Sequence, residues 1–183
     1  MSSPSKQTWS ATLTAIGFIT VGAVVRLMPH PPNLTPLIAM ALFAGAWLSP
    51  SLAIALTVAT MLVGDVAIGW VPQNLMGYVG LAAIVGLGHW VRARQRPLVL
   101  AGTAVAGSTL FFLLSNFGVW LEGWLYPRTL DGLLACYTAG LPFYRRQLAG
   151  DLAYTALFFG AFHLVMRWQR WAVPHPSTVS SGA

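Results

Sequence analysis

Almost no stretch of this chain between Trp9 and Arg167 can be left facing water. Apolar runs follow one another, broken by prolines, glycines and small basic clusters. Several approach the roughly 20 residues that mark a membrane-crossing helix. Charged residues make up only 8% of the 183, ten Lys or Arg and four Asp or Glu, where a soluble domain carries about 25%. So few cannot coat a water-facing surface, and the mean hydropathy is +0.68. The composition excludes an ordinary soluble protein and predicts an integral membrane one. A single cysteine rules out an internal disulfide framework and any multi-cysteine metal site. The net charge of +6 does not point to nucleic acid, because the basic residues are scattered at the ends of the runs.

The runs and their breakers predict an all-α, integral membrane six-helix bundle. Its spans fall at about 9–28, 34–48, 51–70, 75–91, 98–120 and 147–168. PHPPNLTP (29–36) holds four prolines in eight residues and cannot continue a helix. VPQN (71–74) reads as a turn and RARQRP (92–97) as a solvated loop. The first run lacks a small-residue cleavage site followed by a polar mature chain, so it reads as a retained span. Residues 1–8 form a cytoplasmic tail, 9–170 one transmembrane domain, and 171–183 a polar tail. Between spans five and six, residues 121–146 are too short to cross. They are expected to form a long external loop or half-helix that caps the bundle.

Charge sets the orientation. With both termini cytoplasmic in a bacterial inner membrane, Lys6, Arg92, Arg94, Arg96, Arg167 and Arg170 lie inside. Arg26, Arg128, Arg145 and Arg146 then lie outside, a bias in the direction of the positive-inside rule. The loops at 29–34, 71–75 and 121–146 share the outer side, an asymmetry expected of a lidded, outward-facing pocket.

Polar groups at membrane depth are costly, about 2.5–3.5 kcal/mol for Asp or Arg at a helix centre on insertion scales. Asp65 lies near the outer end of span three; a structural pair with Arg26 competes with a site role. Asp151 opens span six, where helix capping or pairing with Arg145 or Arg146 competes with ligand binding. Asn116 interrupts LFFLLSNFGVW and either bonds a neighbouring helix or a ligand. Trp120, Trp124 and Tyr126 suit an interfacial belt, or a stacking wall. Asp151, Tyr154, Thr155 and Phe158 share one helix face, which should turn inward. His89 and His163 read as interfacial or helix-bonding, and Cys136 as a buried small hydrophobe. No ligand cluster for a metal, nucleotide loop or catalytic triad is visible, so neither an enzyme nor a cofactor is expected.

RLMPHPPNLTPLIAMALFAGAWLSPSLAIALTVATMLVGD, NFGVW, YPRTLDGLLACYTAGLPF and LAGDLAYTALFFGA together resemble a family of small, uncharacterised bacterial six-span proteins, over about residues 24–163. More loosely, the architecture is similar to the substrate-binding S components of energy-coupling-factor vitamin transporters. That resemblance implies six helices and an outer vitamin pocket closed by the first, third and fifth loops. It also implies alanines four apart in the first helix, here Ala11 and Ala15, that dock onto a coupling subunit driven by ATPases. The expected function is a membrane-embedded subunit binding a small, vitamin-like nutrient for uptake. Its pocket would be lined by Asn33, Asp65, Asn74, Asn116, Trp120, Tyr137, Asp151 and Tyr154. The alternatives are a non-transporting membrane subunit that binds a partner complex and an enzyme acting on lipid.

Overall fold

The computed structural model describes residues 4–28, 34–68 and 75–172, and among these the chain is all-helical. The helices are α1 (Pro4–Leu27), α2 (Leu37–Trp47), α3 (Pro50–Ile68), α4 (Leu75–Val91), α5 (Pro97–Glu122) and α6 (Leu130–Ala172). Among the described residues, α1, α3, α4, α5 and α6 touch one another in that order and close a ring, and α2 touches all five. The fold is a ring of helices around a central one.

α2 can occupy that place because nothing on it needs water. Its 11 residues, LIAMALFAGAW, are apolar all round, and Leu37 to Ala46 are all buried. A helix with no polar face is stable only when enclosed. It reaches about 16 Å, too short to cross a hydrocarbon core of about 30 Å by itself. Its tightest neighbour is α4. A Cβ on Gly45 would strike the Val85 carbonyl, and one on Gly88 would strike the Leu42 carbonyl. The two backbones therefore touch directly, as small residues allow between membrane helices. On the opposite side Phe43 meets Phe18 of α1 at 5.8 Å and Phe159 and Phe162 of α6 at 5.3 and 5.2 Å, the latter two edge-on, a favourable aromatic geometry.

A buried helix must still satisfy its last carbonyls. Arg92 does this from the hairpin after α4: its Nε donates to Ala46 O and its Nη2 to Leu48 O, both at 2.7 Å. The cation also sits at the negative end of the α2 dipole. A residue read from the sequence as an orientation signal thus also holds the central helix.

Two helices, Pro97–Glu122 and Leu130–Gln169, are long and apolar enough to cross a membrane. Ala11–Val25, Leu37–Trp47, Pro50–Val66 and Leu75–Val91 are apolar but shorter. The outer surface of the ring is apolar too: Leu13, Val21, Val63, Val66, Leu157 and Leu164 are all exposed.

One expectation is corrected. Residues 121–146 do not form a separate cap, and the last helix does not begin near 147. α6 starts at Leu130 and runs 43 residues through Pro142, packed along α5 on both sides of that proline. Phe112 meets Tyr137 at 5.7 Å and Tyr144 at 4.8 Å. Only 123–129 form the connection. Gly123 takes a left-handed φ of 79° that ends α5. Trp120 Nε1 donates to both Pro127 O and Thr129 O. Thr129 Oγ1 accepts from Gly132 N and caps α6. The sequence reading set 121–146 apart as too short to cross a membrane; packing against α5 makes its larger part the first turns of one long helix that continues through Pro142.

Two substitutions test this architecture. Gly88→Ala should push α2 from α4 and cost about 1–3 kcal/mol in reversible unfolding from mixed micelles. Arg92→Met should cost about 1 kcal/mol, and Arg92→Lys should recover part of it.

Candidate functional site

The seam between α5 and α6 carries most of the polar contacts between helices. At the turn end, Cys136, buried as expected, donates to Asn116 O at 3.3 Å, and Asn116 Nδ2 returns to its own helix at Phe112 O. Further along, Tyr137 OH donates to Leu113 O at 2.8 Å, and Tyr144 OH and Thr109 Oγ1 are 2.8 Å apart. Gln147 Nε2 donates to Ser108 O, and Ser108 Oγ donates to Asp151 Oδ2. Each rung ties one helix to the other.

Among the described residues, those picked from the sequence therefore do not assemble into one pocket. Asn33 and Asn74 lie outside the described residues, as does the Arg26 side chain. Asp65 accepts from Tyr78 OH at 2.8 Å, bridging α3 to α4. Trp120 is fixed in the turn, and Asn116 and Tyr137 are rungs of the seam. Tyr154 is half-buried, its ring 6.3 Å from Phe158. Trp120 stands about 18 Å along α5 from Ser108, the partner of Asp151. The docking pair also points the wrong way: Ala15 is fully buried and Ala11 packs against the core. α1 offers Leu13 and Val21 to the outside instead.

Asp151 stands apart from the rest. It is 0% exposed, and the start of α6 at Leu130 lies about six turns away. No free N-terminal amides surround it, so it does not cap the helix. Arg145 and Arg146 are exposed, and Asp151 makes no ion pair among the described residues. Both structural roles offered by the sequence are absent. Its Oδ1 has no hydrogen-bond partner.

One turn further, α5 and α6 separate into a cleft of about 260 Å³. Pro97, Leu100 and Ala101 line one wall, Ala156, Phe159 and Gly160 the other, with Thr155, Gln95 and His163 as its polar residues. It lies at the end of the bundle that carries the basic hairpin, not at the Asn116 end. Thr155 behaves unlike the other helical threonines. Thr57, Thr60, Thr103, Thr109 and Thr138 each donate to the carbonyl four residues earlier, the usual resort of a hydroxyl in an apolar helix. Thr155 is 3% exposed and its Oγ1 has no partner.

Among the described residues, the buried side-chain atoms left without partners are Trp47 Nε1, Gln95 Oε1, Asp151 Oδ1 and Thr155 Oγ1. Gln95 and Thr155 line the cleft. Asp151 precedes Thr155 by one turn. Trp47 packs edge-on against the lining His163 at 5.9 Å. Unsatisfied buried groups are rare and each needs an explanation; here two of the four belong to residues lining one cleft. Among the described residues, no group of three or more His, Cys, Asp or Glu is placed to hold a metal ion.

Over residues 6–175 the sequence matches the profile of a family of unknown function, DUF6580. The chain belongs to that family. No curated protein and no solved structure matches it, so the functional reading of this DUF6580 member rests on its own geometry. Of the cleft, the sequence reading had marked the Asp151–Thr155 face and had read His163 as interfacial. It had missed Gln95 and Pro97, because nothing in RARQRP announces that this loop closes over the last helix.

Thr155→Val should leave stability unchanged or slightly raised, since the hydroxyl bonds nothing. Thr103→Val should lower it by about 1 kcal/mol. Unfolding midpoints of the two variants measured side by side decide this.

Proposed function

We propose that this chain is an integral protein of the bacterial cytoplasmic membrane, with both termini inside, that binds a small molecule and serves its uptake. The apolar composition, the exposed aliphatic surface of the ring and the two crossing-length helices support the membrane placement. The short α2, and the apolar α1, α3 and α4, belong to the same embedded bundle of six. The basic hairpin beside the cleft supports a position on the cytoplasmic half, in the sense of the positive-inside rule.

The observation that carries the binding role is the α5–α6 cleft with two unpaired buried oxygens among its lining residues, Thr155 Oγ1 and Gln95 Oε1. An ionisable residue within a membrane helix is by default a functional candidate. The rest of the lining is apolar, the usual division in a small-molecule site between hydrocarbon area and a few orienting polar groups. The uptake role follows the resemblance to S components. The bound state is then reached from the cytoplasmic half. The buried Ala15 argues against docking of a coupling subunit through Ala11 and Ala15. The outer face of α1 is the surface such a subunit would meet.

Native mass spectrometry of gently extracted protein should show a retained molecule of a few hundred daltons. Gly160→Leu should remove it, since a Cβ there meets nothing within 4 Å and a larger side chain enters open space without disturbing packing. Folded protein that holds the same molecule in both forms would move the site elsewhere. Folded protein that holds none, and stays unshifted by extracts of its own cells, would refute the binding role.

A further inference from the structure

Most arginines away from the ends of the long helices are answered by the protein itself. Arg92 donates to Ala46 O and Leu48 O, Arg94 donates to Trp90 O and stacks over the Trp90 ring at 4.9 Å, and Arg128 donates to Glu122 O. Arg145 and Arg146, in the body of α6, are both exposed and bond nothing among the described residues. The acids of the chain do not reach them. Asp65 accepts from Tyr78 and Glu122 from Trp124, and Asp151 is fully buried. Asp131 lies 14 positions before Arg145, about 21 Å along α6.

The place of the pair on α6 narrows what can answer it. The 43 residues of α6 reach about 64 Å, twice a hydrocarbon core of about 30 Å. From Arg146 to Arg167 is 21 positions, about 32 Å, and residues 147–166 between them hold neither Lys nor Arg. Two contacts fix the level of the pair. Gly150 lies against Leu34, just ahead of α2, and Phe158 lies against Gly22, five positions before α1 ends at Leu27. Arg145 and Arg146 therefore stand just past the ends of α1 and α2 remote from the basic hairpin, where a lipid-facing helix meets headgroups. Leu141 and Phe143 on one side of the pair and Leu157 on the other are exposed, so the two charges interrupt an apolar surface. A free anion gains nothing from such neighbours. A lipid brings both a phosphate, which guanidinium binds bidentately, and hydrocarbon for the apolar flank.

We infer that Arg145 and Arg146 form a seat for an acidic phospholipid, its phosphate held by the two guanidiniums and an acyl chain lying along the outer face of α6 toward Leu157. This rests on the membrane placement proposed above and is independent of the α5–α6 cleft. A zwitterionic lipid carries its own ammonium, which the pair repels, so the headgroup is one without a balancing cation, as in phosphatidylglycerol.

The test is native mass spectrometry of the protein in detergent, offered equal amounts of phosphatidylglycerol and phosphatidylcholine with the same acyl chains. The parent should retain phosphatidylglycerol in preference. Arg145→Gln/Arg146→Gln should lower that preference by about fivefold for each arginine, about 25-fold together. Arg145→Lys/Arg146→Lys keeps the charge without the planar fork and should recover part of it. Arg94→Gln/Arg96→Gln removes the same charge from the basic hairpin and should leave the preference near that of the parent. All four arginines are exposed, so each variant should unfold at the temperature of the parent. An equal fall in the hairpin variant would reduce the effect to net charge and overturn the seat. Displacement of the lipid by inorganic phosphate would overturn lipid as the occupant. Protein that needs detergent yet shows no preference for phosphatidylglycerol refutes the seat alone, whereas protein that stays dissolved without detergent refutes the membrane placement.

Discussion

The bundle depends on the backbone contact between α2 and α4. Gly45 against the Val85 carbonyl and Gly88 against the Leu42 carbonyl bring the two axes as close as helices can come. That closeness lets an 11-residue helix sit inside five others without leaving voids. Between two faces this apolar, packing density and hydrogen bonds decide how closely the helices associate. The glycines provide the density. Arg92 provides the hydrogen bonds at the one end of α2 where carbonyls would otherwise face an apolar interior. Losing either loosens the centre of the ring.

Much of this was legible from residue patterns. The apolar runs gave the helices near their observed positions, because a run without charge has few other ways to satisfy its amides. The connection after α5 was not legible. Its signals, Gly123, Pro127 and Thr129, were all present, but 121–146 was set apart as a whole because it is too short to cross a bilayer. What overrides Pro142 is contact at a distance: Phe112 wedged between Tyr137 and Tyr144, and Asn116 fitted where Gly140 leaves room. Such contacts relate residues more than twenty positions apart and leave no local trace. The error then spread to Asp151. Placing it in a first turn made capping an economical account, and a helix start at Leu130 removes that account.

The candidate residues met the same limit. Asp65, Asn116, Trp120 and Tyr137 were chosen for being polar in an apolar setting, and each has a partner in a neighbouring turn or helix. Polarity identifies residues that need partners but does not say whether the partner is protein or ligand. Only the geometry separates the two cases. Thr103 and Thr155 both stand in largely apolar helical runs, yet one bonds its own backbone and the other does not.

The α5–α6 seam therefore divides into two parts with different physics. From Asn116 to Ser108 it is a closed ladder whose members answer one another, the arrangement that fixes register between two long helices. From Asp151 to His163 the rungs stop while polar side chains continue. Were this second part only structural, valine at 155 would fill the same volume without an orphaned hydroxyl. An apolar residue at 151 would likewise avoid burying a carboxyl whose second oxygen has no partner. Unsatisfied groups lower stability wherever they lie. Two of them, Thr155 Oγ1 and Gln95 Oε1, belong to residues lining one apolar cleft, in a bundle whose other buried threonines are satisfied by their own helix, and it is this pair that packing alone does not explain.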